Sequence, residues 1–382
     1  MASERLEQAR QLIGQGREAE ALAAVEAVLR ADSSNVEALI LISELYGRLG
    51  KHQFSVQAAA RAAQLSPNDV DAVLRLAAAY QRLGDLEKCD RCLDVAVTHD
   101  PDWLRAQFFQ SIKSAGDVDE NSLPGRVVLA FDRAGERPDA PPHLTYNLGR
   151  LLFALGAYHA ARQAYERALD QDPEMAEAFA AVGELDFIQG QFAQCLEWFN
   201  EARRCQWVDK TTGALYDRER MSQKIASGDM TMSQVDRYAA RALLRLSQYV
   251  EANRMMQSAI EWQPWDIDGV RRDMVGEYLV MGQAAQEYEG TEAATKIWES
   301  AQETARQANA HELFLQLGQA YVQLAAHARD QKDRQRMAAW LERARNIAES
   351  PPVNVPPEAM SAWNELRAAV KQTMSKRTSG LA

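Results

Sequence analysis

Residues 142–207 read PHLTYNLGRLLFALGAYHAARQAYERALDQDPEMAEAFAAVGELDFIQGQFAQCLEWFNEARRCQW. Shifted by 34 places, the stretch lands on its own pattern. Gly149 falls on Gly183, Gly156 on Gly190, Tyr158 on Phe192, Ala161 on Cys195, Tyr165 on Phe199 and Ala168 on Ala202. Each copy reads as a helix, a glycine turn, a second helix and a breaker, Pro173 in the first copy and Trp207 in the second. That period and plan mark an array of stacked helical hairpins. Gly149 and Ala161 are expected where two antiparallel helices approach most closely, because a larger side chain there pushes the axes apart. Tyr165 and Phe199 then fill the wedge between one hairpin and the next. Gly156 and Gly190 stand where a helix must stop, a position that favours positive φ and hence glycine. A single hairpin exposes an apolar face on each side, so only its neighbours make it stable.

These residues resemble the tetratricopeptide repeat, a family of helical hairpins that mostly bind other proteins. The resemblance implies an all-α, right-handed superhelical solenoid of about nine such hairpins closed by a C-terminal capping helix. The register extends upstream: Gly16, Gly50 and Gly84 are 34 apart, as are Pro67 and Pro101, and Tyr46 and Tyr80. Hairpins are therefore expected near 2–35, 36–69 and 70–103, giving an N-terminal set over 1–103. From Leu104 the register slips, and 104–141 reads as a degenerate repeat or a stiff joint, with prolines at 138, 141 and 142. Residues 142–209 hold the best-matching pair. An irregular helical insert follows over 210–233, with a helix expected near Gly213–Ala226 and Ser233 as the N-cap of the next. In the hairpin near 234–267, Gln248 takes the glycine place.

The divergent hairpins run over 234–351, and the last two follow a longer rule. Ala294, Trp298 and Ala301 recur 43 residues later as Met337, Leu341 and Ala344, and Tyr278 recurs as Tyr321. Val275 stands 19 residues before Ala294, as Gly318 stands before Met337, against 12 from Gly149 to Ala161. The seven extra residues are close to two helical turns, so taller hairpins are expected. Residues 352–382 read as a capping helix, Glu358–Met374, and a disordered tail.

Charge and composition narrow the function. Hydrophobic residues make up 47% and charged residues 25% of the chain, as in folded proteins. A net charge of −11 argues against a duplex nucleic-acid binder, which carries a basic face. No apolar run is long enough for a membrane span, and the N-terminal MASERLEQAR lacks the apolar core of a secretory signal. A cytoplasmic location is the expectation, in keeping with four cysteines without framework spacing.

Chemical motifs are sparse. Cys89 and Cys92 form a C-x-x-C, but it falls in mid-helix and Cys89 occupies the small packing place shared with Ala161 and Cys195, so core packing is the expected role. The six histidines lack metal-ligand spacing. No phosphate loop, nucleophile elbow or carboxylate pair is recognisable, so no catalytic residue, cofactor or metal is expected. Most of the eight tryptophans are expected to pack between repeats, although Trp262 and Trp265 flank Pro264 at a helix end, where exposed rings can anchor a partner.

In the family that the chain resembles, first helices line a concave surface where partners dock. Carried over by register, this implies a partner-binding face that includes Arg48, Arg82, Tyr146, Arg150, Phe153, Glu184 and Phe187. Removing Tyr146 or Arg150 is then expected to weaken binding without unfolding the array. The fixed Lys/Asn/Arg set with which one subclass grips chaperone tails is absent, since Tyr146 and Arg150 stand in its place. The leading expectation is a non-enzymatic scaffold or adaptor that holds a peptide or helix of a partner protein. The alternatives are a self-associating component using the C-terminal hairpins, and a regulatory subunit sensing a small ligand.

Overall fold

The computed structural model describes residues 2–115, 118–137, 140–205, 207 and 229–379. Among them there is no strand, and the helices follow one another as nine successive pairs. The first three pairs are α1 (Ala2–Gly14) with α2 (Glu18–Ala31), α3 (Val36–Arg48) with α4 (His52–Leu65), and α5 (Val70–Leu83) with α6 (Leu86–His99). Then come α7 (Pro101–Ala115) and α8 (Leu123–Gly135), α9 (Pro142–Ala154) and α10 (Tyr158–Gln171), and α11 (Ala176–Ile188) and α12 (Phe192–Arg204). Beyond Asp229 lie α13 (Met232–Arg245) with α14 (Tyr249–Trp262), and α15 (Ile267–Tyr288) with a second arm broken into α16 (Thr291–Ser300) and α17 (Gln302–Gln307). The last pair is α18 (His311–Asp330) with α19 (Arg334–Glu349), and α20 (Met360–Ser379) closes the chain. The expected helix over Gly213–Ala226 lies outside the described residues.

The chain forms two compact units, one of residues 1–185 with 201–231, the other of 186–200 with 232–382. Local sequence explains how each hairpin turns. Gly16, Gly50, Gly84, Gly156 and Gly190 all have φ between 71° and 83°, the left-handed region that glycine enters without steric cost. Asp69, Asp85 and Ser122 cap the helices that follow them by accepting backbone N–H bonds.

Packing follows the small-and-bulky rule. Ala161, Tyr165 and Ala168 of α10, and Cys195, Phe199 and Ala202 of α12, are all buried. A Cβ placed on Gly149 would stand 2.4 Å from Cε1 of Tyr165, so the ring lies directly against the bare backbone of α9. In the first unit one core runs from Val73 on α5 to Ala164 on α10 and includes Phe109, Phe131 and Leu151. Within it α7 leans on α9, and α8 on both α6 and α9. The register slip from Leu104 thus produces an irregular pair that is nevertheless packed into the stack.

In the second unit the core centres on Tyr278, Trp298, Phe314 and Trp363, all buried. The first helices α15 and α18 have 22 and 20 residues, against 13 for α9. The extra length is not where the 19-residue spacing puts it. The residue facing Trp298 is Gly282, whose Cβ would meet Nε1 at 2.0 Å, and Gly282 stands 12 residues before Ala294 as Gly149 stands before Ala161. The hairpin contact is unchanged, and the added turns precede it.

Three further readings are corrected. The left-handed turn residue between α13 and α14 is Ser247, at φ 60°, while Gln248 is the N-cap of α14, at φ −96°. Ser233 lies inside α13, not at its cap, and its hydroxyl donates to the carbonyl of Ala259. The closing helix begins at Met360 and continues to Ser379, through most of the stretch expected to be a disordered tail. It anchors by Trp363, Leu366 and Val370, all buried.

Candidate partner-binding face

The first helices of the N-terminal unit present two different surfaces. On α3 and α5 the expected residues Arg48 and Arg82 are exposed. Glu44 accepts from Arg48 at 2.8 Å and lies 4.0 Å from Arg75 of the next first helix. Gly47 lets Arg82 lie close against the backbone of α3, since a Cβ would stand 2.7 Å from its Nη1. Leu74, on the same helix as Arg82, faces the core. These exposed ion pairs contribute little to stability, about 0–1 kcal/mol each, and leave charged groups available to a partner.

On α7, α9 and α11 the same face is closed over. Tyr146, Arg150, Phe153 and Glu184 are buried, each held by neighbours within the unit. Arg150 is 3% exposed and donates from Nη1 to Oε2 of Glu184 at 2.6 Å. Its guanidinium lies 5.3 Å from the ring centre of Phe109 and 4.9 Å from that of Phe153. Breaking a buried ion pair by removing one partner costs about 3–5 kcal/mol. Arg150 is thus part of the packing, and its removal is expected to cost stability whatever it does to binding. Asn147, beside Tyr146, donates to Oδ1 of Asp102 at 2.8 Å.

What closes this face is a residue that the sequence reading passed over. Asp229 is 6% exposed, and both of its oxygens are held. Nη2 of Arg105, a side chain with no exposure, donates to Oδ2 at 2.9 Å, and the hydroxyl of Tyr146 donates to Oδ1 at 3.0 Å. Burial, and then the Asp229 charge, push the Tyr146 phenol well above its ordinary value, so it stays a donor at any physiological pH. Tyr165, tilted against Tyr146 with ring centres 5.9 Å apart, is likewise raised by burial. A sequence signal for the pair exists: Arg105 follows Pro101, and Tyr146 follows Pro142, by the same four residues. Each proline opens its helix, so the two side chains occupy equivalent places on first helices that pack together.

In the second unit Phe187 is half-buried and packs edge-on against Phe192 and Tyr238, at 5.5 and 5.2 Å between ring centres. Trp262 is half-buried. Arg237 and Arg241 reach from α13 to Asp273 and Glu277 on α15, at 2.7 and 3.0 Å. An open pocket of about 500 Å³ is lined by residues including Phe314, Tyr321, Arg306, Arg343 and Glu299. Cys89 is buried in the first unit's core, and burial pushes its thiol up to about 12 and that of Cys92 to about 11. The C-x-x-C thus serves packing. Among the described residues no helix is long and apolar enough to cross a membrane, and no group of acidic, His and Cys side chains has metal-binding geometry.

Comparison with known proteins agrees with the hairpin plan. The tetratricopeptide repeat family profile matches residues 6–70 and 146–209. A search of curated proteins finds no match. Similar solved structures include a tetratricopeptide repeat protein of Parabacteroides merdae, 13% identical, covering 71% of this chain and 96% of its own, at TM-score 0.32. The C-terminal part of a TPR repeat-containing protein of Cytophaga hutchinsonii is 13% identical, covering 85% and 98%, at TM-score 0.35. YrrB, described as a TPR protein with an unusual peptide-binding site, is 17% identical, covering 59% and 95%, at TM-score 0.33. The two matched stretches resemble tetratricopeptide repeats, and the chain resembles that superfamily without pointing to a particular member.

Proposed function

We propose that the chain is a non-enzymatic scaffold or adaptor that holds a segment of a partner protein on the first-helix face of its N-terminal unit. The observation that carries this reading is a row of charged side chains on successive first helices, Arg48 and Arg75 meeting at Glu44, with Arg82 lying against the bare backbone of Gly47. The helices that carry the row are already packed, so a docking segment orders side chains but not backbone, and more of the contact energy appears as affinity. An extended peptide or a helix can lie across such a row, with its own charges meeting the arginines. The repeat match supports the same reading, since helical-hairpin arrays commonly bind proteins through their stacked faces. Four cysteines, none in a disulfide, support a cytoplasmic location.

The test is co-purification with the full chain and with Arg48→Glu/Arg82→Glu, both side chains being exposed. Loss of a defined partner with unchanged melting temperature supports the face. Retention of every partner refutes it. Self-association is a second reading, favoured by Val280 and Tyr288 on α15, which are 54% and 81% exposed. Light scattering decides it, and a strict monomer removes it.

A further inference from the structure

The Arg105–Tyr146–Asp229 contact has the form of ligand binding carried out within one chain. Its three residues are far apart in sequence, Asp229 lying 124 residues from Arg105 and 83 from Tyr146. The two receptor side chains come from equivalent places on adjacent first helices, the face along which partners are proposed to lie. Each oxygen of the carboxylate has its own donor, so the geometry recognises a carboxylate as such and not merely a negative charge. The receptor is dry: Arg105 has no exposure, and Met230 and Thr231 beside Asp229 are each 1% exposed. Asp229, Met230 and Thr231 are thus a strap of buried chain, held to the wall through Asp229.

We infer that Arg105 and Tyr146 form a carboxylate receptor on the first-helix face, that Asp229 fills it in cis, and that an acidic segment of a partner protein engages this part of the face only by displacing the strap. The inference rests on the first-helix face being a docking surface and deepens that reading by naming the partner's chemistry. Asp229 shows what the site takes: an aspartate side chain presented on chain outside any helix. The charge match is local, because the chain as a whole is acidic at −11 and the receptor supplies a buried cation within it. Occupancy in cis also sets a threshold. If the strap fills the receptor nine-tenths of the time or more, an incoming segment binds about ten-fold or more weakly than to the open site.

The test titrates a fluorescently labelled peptide with the sequence of residues 229–233, DMTMS, against the full chain. Wild type is compared with Asp229→Gly, which empties the receptor, and with Asp229→Asn, which keeps the shape and removes the charge should the glycine variant not fold. The expected result is that either variant binds the probe at least about ten-fold more tightly than wild type does. A probe with Asn in place of Asp should lose that gain, as should Arg105→Gln added to the variant. Equal binding to wild type and both variants, equal binding of the Asp and Asn probes, or no binding to a folded variant overturns the inference. Those outcomes leave the scaffold reading standing if Arg48→Glu/Arg82→Glu still releases a partner. Conversely, a probe that discriminates as expected keeps the receptor even if that pair of substitutions releases nothing.

Discussion

Gly149→Ala is the sharpest probe of how the hairpins are held, because two effects of known sign oppose each other there. In an exposed helix the change gains about 1 kcal/mol, alanine being the better helix former. In α9 the new methyl would stand 2.4 Å from Cε1, 2.6 Å from Cδ1 and 3.2 Å from Cζ of Tyr165. Carbon atoms rest at about 3.5–4.0 Å, so the ring would have to retreat by roughly 1 Å or more. It has no space to do so, being fully buried and lodged against Tyr146. Overpacking of this kind costs about 1–3 kcal/mol, so the net change is a loss of about 0–2 kcal/mol. The coupling is more decisive than the net. In a Tyr165→Leu background the clash is relieved and Gly149→Ala should stabilise by about 1 kcal/mol. The coupling energy across the cycle is then about 1–3 kcal/mol. Urea unfolding followed by circular dichroism on all four proteins measures it. If Gly149→Ala stabilises both backgrounds equally, Tyr165 does not pack on Gly149 and the account of the hairpin contact fails.

Other perturbations follow from the same geometry. Arg150→Met should cost about 3–5 kcal/mol, whereas Arg150→Met/Glu184→Leu should recover most of that, since an apolar pair can replace a buried ion pair at little cost; thermal melts of the three proteins check it. Gly156→Ala should cost about 1 kcal/mol from the left-handed backbone alone, because φ is +75° and no atom lies within 4 Å of the new Cβ. The thiols of Cys89 and Cys195 are raised to about 12 by burial. Above about 9 the unfolded chain ionises these thiols while the fold keeps them protonated, so stability falls with rising pH by roughly 1.4 kcal/mol per unit per thiol. Unfolding at pH 9 and 10 should therefore show a smaller loss for Cys89→Ala/Cys195→Ala than for wild type.

Much of the fold was legible because the repeat states its own constraints. A turn that needs positive φ selects glycine, and the five glycines picked out by the 34-residue period all adopt it. Close approach selects small residues, so Ala161, Cys195, Ala294 and Ala344 were readable as core. Where the period weakened, reading failed in an instructive way. Ser247 takes the left-handed turn because a polar residue can enter that region at a cost when packing demands it. Gly282 was overlooked because Val275 satisfied the longer spacing, although the hairpin contact depends on the distance back from Trp298.

The candidate face was legible only in register. The period says which side of a first helix Tyr146 and Arg150 occupy, but not what later chain will cover them. Asp229 comes from 83 residues beyond Tyr146, and no local pattern announces that a lone aspartate after an irregular stretch will return to an earlier helix. A buried arginine is also invisible to composition, since arginine is ordinarily exposed. Arg105 is identified by its partner and by its place behind a helix-opening proline.

The central claim, that partners lie along the first helices of the N-terminal unit, is tested most directly by site-specific photo-crosslinking. A photoreactive amino acid is placed at Arg82 on α5 and, in a second protein, at Arg91 on α6, where the side chain is 71% exposed. The account predicts a discrete partner adduct from position 82 and none from position 91. Equal adducts from both positions, or adducts from position 91 alone, would contradict it.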